Sequence, residues 1–109
     1  MKIPSNLKIG GHEYEVSVRN RKTSDGAENL GTCDNIVTKI WLESECTETL
    51  QAETLLHEII EAISYIYSVG LSHPQIVLCS ATLYQVLKDN NLYFGEEENK
   101  QKEVDVNDK

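Results

Sequence analysis

His57, Glu58 and Glu61 stand together in the stretch TLLHEIIEAISYIY, residues 54–67, and their types and spacing suit a divalent metal. Helix positions four apart lie one above the other on the same face. The His57 imidazole and the Glu61 carboxylate can therefore both reach one zinc ion, at about 2.0–2.2 Å each. A catalytic zinc takes three protein ligands and keeps an open position for water. Glu58, directly after the histidine, is the candidate general base that would accept the proton of that water. A metallopeptidase helix reads H-E-x-x-H, and here the second histidine is replaced by Glu61. The third ligand must come from elsewhere. His73 is the first choice by chemistry and Cys79 the second, with His12, Glu13 and Glu15 more remote.

The same residues have a plainer reading. A His/Glu pair at this spacing is a common solvated arrangement worth a few tenths of a kcal/mol, and each letter of H-E-x-x-E is ordinary in helices. Spacing alone leaves both readings open.

The elements that must position these groups are visible as changes of period. LKI, Gly10-Gly11 and HEYEVSVR form a hairpin signal, because the glycine pair supplies positive φ. Tyr14, Val16 and Val18 alternate with Glu13, Glu15, Ser17 and Arg19, the pattern of a half-buried strand. NRKTSDGAEN is polar and reads as a loop. LGTCDNIVTKIWLES reads as a second hairpin around Asp34-Asn35, with the β-branched arm Ile36–Leu42.

From Thr47 the period becomes helical. Thr47 is the expected N-cap, with Glu48 in the first turn. Ala62, Leu55, Ile66, Ile59, Ile63, Leu56, Tyr67 and Ile60 fill one arc of roughly 160° on a helical wheel. Glu53, Ser64, His57, Glu61, Thr54, Tyr65 and Glu58 fill the opposite side. Gly70 is the expected C-cap. Ser72 and Gln75 form a capping box that starts a second helix, with Pro74 in its first turn. That helix is expected to bury Ile76, Cys79, Leu83 and Val86 or Leu87, and to end near Asn90-Asn91.

The fold class that follows is α+β: a small antiparallel sheet of N-terminal hairpins packed on a C-terminal αα-hairpin. Residues 1–94 form a single domain, and 95–109 form an acidic, disordered tail. Straight helices would place His73 far from the pair, since Gly70 lies nine residues and roughly 13 Å beyond Glu61 along the axis. His73 reaches the metal only if the helices cross steeply or the first one ends early.

Bulk properties exclude several functions. The 109 residues carry a net charge of −8, which disfavours binding to a phosphate backbone. Acidity of this kind maintains solubility or suits a basic partner. No apolar run approaches the roughly 20 residues needed to span a bilayer. MKIPSNLKIGG has no apolar h-region, so a cytosolic location is expected. Cys33, Cys46 and Cys79 are too few and too scattered for a disulfide framework or a four-cysteine zinc site.

KIPSNLKIGGHEYEV, LGTCDNIVTKIWL, ETLLHEIIEAI and LYQVLKDNNL, in that order across residues 2–94, resemble a family of small phage and prophage proteins. Those are described as zinc metallopeptidases with a minimal gluzincin, or zincin-like, core. Members commonly carry TLLHE-x-x-H-A-I where this chain has TLLHEIIEAI. The resemblance implies a zinc cofactor, His57 as the first ligand, Glu58 as the general base and Glu61 at the second ligand position, in the cytosol of a bacterial host. Gluzincins also bring a glutamate from the next helix, and this chain has none there before the tail. The ligand set His57, Glu61 and His73 would permute the order.

Three functional expectations follow. One is a zinc peptidase whose extended substrate pairs with the strand Ile36–Leu42. Another is a non-catalytic acidic protein that binds a host or phage protein. The last is a zinc ion that only staples the two helices.

Overall fold

The computed structural model describes residues 2–20 and 30–92. The loop expected around Ser24-Asp25-Gly26 and the tail expected over 95–109 lie outside them. Strands β1 (Asn6–Ile9) and β2 (His12–Arg19) form the first hairpin. Its two-residue turn has positive φ at both Gly10 and Gly11, 58° and 84°, the type I′ geometry that matches strand twist. A Cβ on Gly10 would also lie 2.8 Å from an Ile66 methyl, so glycine is required there twice over.

Strands β3 (Gly31–Asp34) and β4 (Lys39–Glu43) form the second hairpin. The α+β class is as the sequence implies. The sheet is not antiparallel throughout, however: its order is β1-β2-β4-β3, and the central β2–β4 pair is parallel. Alternation predicts which side chains face the core but not which strands become neighbours. The most apolar strand takes the centre, where Ile40 and Leu42 are both wholly buried, and the short GTCD strand takes an edge.

One face of the sheet presents Ile9, Tyr14, Val16, Ile40 and Leu42 to helix α1 (Glu48–Ile66), which answers with Leu55 and Ala62, flanked by Ile59 and Ile66. Val18, expected in this row, is 42% exposed. Thr47 caps α1, its hydroxyl accepting the Leu50 N–H at 3.3 Å. Helix α2 (His73–Asp89) starts at the full Ser72/Gln75 capping box and packs on α1 rather than on the sheet. No helix among the described residues is long and apolar enough to cross a membrane.

Two expectations about the helices are corrected. Helix α1 ends at Ile66, before Gly70, in a Schellman turn: Val69 N–H reaches Ser64 O at 2.9 Å and Ser68 N–H reaches Tyr65 O at 3.2 Å. Ser68 takes the left-handed position usually held by glycine, with φ 56°. Leu71 N–H then bonds the Ser64 hydroxyl at 2.9 Å, which folds the chain straight back along α1. On α2, Ile76 and Ser80 are buried and Leu87 is half-buried, whereas Cys79, Leu83 and Val86 are exposed. A helix resting on one neighbour needs a narrower apolar stripe than one set in a two-sided core.

Candidate metal centre

The early end of α1 brings His73 to the site. With Leu71 tied level with Ser64, the first residue of α2 lies beside the His57–Glu61 turn of α1. His57 Nε2 and Glu61 Oε2 are 3.2 Å apart. The His57 and His73 rings meet edge to face, with centroids 5.3 Å apart. Ligand atoms of His57, Glu61 and His73 all lie within 4.8 Å of one another. Ligands on a tetrahedral zinc at about 2.0–2.1 Å are roughly 3.3 Å apart. The His57–Glu61 pair is already at that separation, and a rotation of the exposed His73 side chain would close the remainder. The three residues therefore fit a metal ion by number, donor type and spacing.

Glu58 departs from the helical-wheel expectation. The wheel puts it on the polar side of α1, yet it is only 4% exposed. Strand β3 crosses over it: a Cβ on Gly31 would lie 3.3 Å from Glu58 Oε2, 3.1 Å from Trp41 O and 2.6 Å from Thr54 Cγ2. The carboxyl has no hydrogen-bond partner among the described residues. Burial first, and then the Glu61 charge, push its pKa up from 4.5 to about 8. A buried carboxyl left unpaired is costly, and one that lines the same cleft as His57 and His73 is a candidate for proton transfer. Gly31→Ala should therefore lower stability by about 1–3 kcal/mol through overpacking against Thr54, and should disturb Glu58; thermal unfolding checks the first. An unchanged melting temperature would mean that β3 does not press on α1 as described.

The other nominated ligands lie elsewhere. Cys79 is exposed and His12 and Glu13 are exposed on β2, all outside the ligand group. Glu15 instead faces Lys39 at 3.8 Å. The substrate strand is also corrected. Ile36 and Val37 belong to the exposed hairpin turn, and β4 is paired on both sides, by β2 and β3. The edge beside the site is β3. Glu43 N–H donates to Leu30 O, so alternation turns residues 30, 32 and 34 towards β4 and leaves the peptide groups of Gly31 and Cys33 on the outer edge, which no strand among the described residues covers.

Two further residues near the site, Cys33 and Asn35, carry no joint functional signal in the sequence. Burial, followed by the charges of Glu58, Glu61 and Asp34, pushes the Cys33 thiol up to about 12, so it stays protonated and unreactive. Asn35, read from sequence only as a turn residue, lines a cleft with Glu61 and His73. Its Oδ1 accepts from the buried Tyr14 hydroxyl at 2.7 Å and from Cys33 Sγ at 3.4 Å. Both donors fix the amide oxygen, and the N–H₂ has no hydrogen-bond partner among the described residues. Nothing in spacing links Asn35 to residues on α1; only the hairpin's position over the helix does. No protein-family model, curated protein or solved structure matches this chain.

Proposed function

We propose that the protein binds one zinc ion through His57, Glu61 and His73 and hydrolyses peptide bonds, with Glu58 as general base. The observation that carries this reading is the convergence of three ligand atoms within 4.8 Å, two of whose residues, His57 and His73, line a cleft with the buried Glu58 carboxyl, which is unpaired among the described residues. The resemblance to phage-type zinc metallopeptidases points the same way. Zinc, when bound, polarises a carbonyl and makes its water acidic near neutral pH.

The chain's own residues supply the rest. The free edge of β3 can pair with an extended peptide backbone and lay it along the cleft. Gly31 offers no side chain at that point, so the backbone can come close to Glu58. Glu58, held in its ionised form beside a bound dication, would take a proton from the attacking water and return it to the leaving amine. The Asn35 N–H₂, oriented by Tyr14 and Cys33, can donate to a carbonyl oxygen in the neighbouring cleft that Glu61 and His73 line.

Elemental mass spectrometry of the untagged protein, beside mass-spectrometric cleavage assays on a pool of synthetic decapeptides, tests the reading. One zinc per chain is expected, with cleavage that stops on chelation and returns with zinc. Protein that takes up no zinc from excess metal would sink it.

A second reading, a non-catalytic acidic binding protein, rests on the net charge of −8. It expects partner binding that weakens with salt and is indifferent to Glu58→Gln.

A further inference from the structure

Beside the ligand group a cleft of about 280 Å³ runs between the N-terminal half of α1, the N-terminal half of α2 and the start of β3. This is smaller than the roughly 300–1,000 Å³ of a whole small-molecule site and suits a single long side chain. Leu30, Leu50 and Val77 give it apolar walls. Glu53 places a carboxylate among them, with no hydrogen bond or ion pair to any described residue. Glu58, buried and unpaired, lines the same space. Apolar walls with an acidic group fit an amphipathic side chain that buries its methylene stem and keeps a charged head.

We infer that this cleft is a specificity pocket for a lysine or arginine side chain of an extended peptide, with Glu53 pairing with its head group. The inference rests on the peptide-hydrolase reading for the position of the scissile bond, but the binding itself does not need catalysis. Backbone pairing on an edge strand gives affinity without sequence preference, and pockets for alternate side chains give the preference. Gly31 stands both on the edge that no described strand covers and in the wall of the cleft, so a peptide on β3 can turn a side chain past it towards Glu53. A net charge of −8 favours basic peptides at long range, whereas a pocket must discriminate at one position.

The test is fluorescence anisotropy of the Glu58→Gln protein, with zinc and separately with chelator. The probes are labelled pentapeptides Ala-Ala-Xaa-Ala-Ala in which Xaa is arginine, lysine, citrulline, leucine or glutamate. Arginine and lysine should bind roughly tenfold to a hundredfold tighter than citrulline, the range for a charge-assisted hydrogen bond. Adding Glu53→Gln should erase that difference, and Glu53→Lys should turn the preference towards glutamate. Binding of no peptide, no preference for the basic residue, or a preference that survives Glu53→Gln each overturns the pocket. Zinc content of the same samples separates the two readings. A basic preference without zinc uptake leaves the pocket standing and sinks the hydrolase, and zinc uptake without preference does the reverse.

Discussion

Glu58→Gln is expected to make the metal-free protein markedly more stable at alkaline pH and to remove the hydrolytic activity proposed for the zinc form. The carboxyl titrates near 4.5 when unfolded and near 8 in the fold, because burial and then Glu61 oppose its charge. Between these values the folded chain holds a proton that the unfolded chain has released. The slope of unfolding free energy against pH is then negative. Stability from this group is complete below about pH 4.5, falls as pH rises towards 8 and is flat beyond. At about 1.4 kcal/mol per pH unit the whole fall amounts to roughly 5 kcal/mol, an upper value because water entering the cleft relieves it. That is a large part of the roughly 5–15 kcal/mol of a typical domain.

Glutamine has the shape and polarity of the protonated carboxyl but cannot ionise, so the cost of burying a neutral polar group is common to both proteins and cancels. Self-repulsion of a chain with net charge −8 also weakens it as pH rises, and that too is shared. The measurement is the difference in urea-unfolding free energy between parent and variant, at steps from pH 4 to 9 with chelator present. The difference should grow across the window and then level off. Parallel curves would mean that Glu58 is not held dry beneath β3. In the zinc form the same variant should lose turnover by 10²-fold or more, the range for general-base removal, with zinc content unchanged.

What could be read from the chain beforehand was local chemistry. The Gly10-Gly11 turn, the Thr47 cap and the Ser72/Gln75 capping box each depend on residues a few positions apart, and each is found. His57 and Glu61 share a face for the same reason. The fold departs from local pattern where a distant segment decides. Glu58 falls on the polar side of the wheel, but β3, more than twenty positions earlier, lies across it. Gly70 was the stronger stop signal, yet Ser68 takes the left-handed position first because the Ser64 hydroxyl and carbonyl hold the returning chain. That early reversal makes His73 a neighbour of His57. Cys79, Leu83 and Val86 were expected inside because they are apolar, but no layer covers that flank of α2 among the described residues. Likewise, the parallel β2–β4 pairing leaves no mark in the alternation of either strand.

The three-ligand reading makes its strongest demand on His73. A metal that binds only the folded state stabilises it by about 4 kcal/mol when free zinc stands a thousandfold above its dissociation constant. For a domain of this size that is a rise of roughly 15–30 °C in melting temperature. His57→Ala, Glu61→Ala and His73→Ala should each lose this increment, and Cys79→Ala should keep it. The metal-free variants separate a ligand role from a packing role. His73 is exposed at the start of α2, so its removal should leave the metal-free melting temperature where it was and abolish only the gain from zinc. Glu61→Ala also withdraws a charge that opposes ionisation of Glu58, so its metal-free form should be no less stable than the parent at neutral pH. Differential scanning fluorimetry with and without zinc reads all of these. A full zinc gain in His73→Ala would leave two ligands on one helix turn. The second helix would then have no part in the site, and the residues present would no longer hold a metal in the way hydrolysis requires.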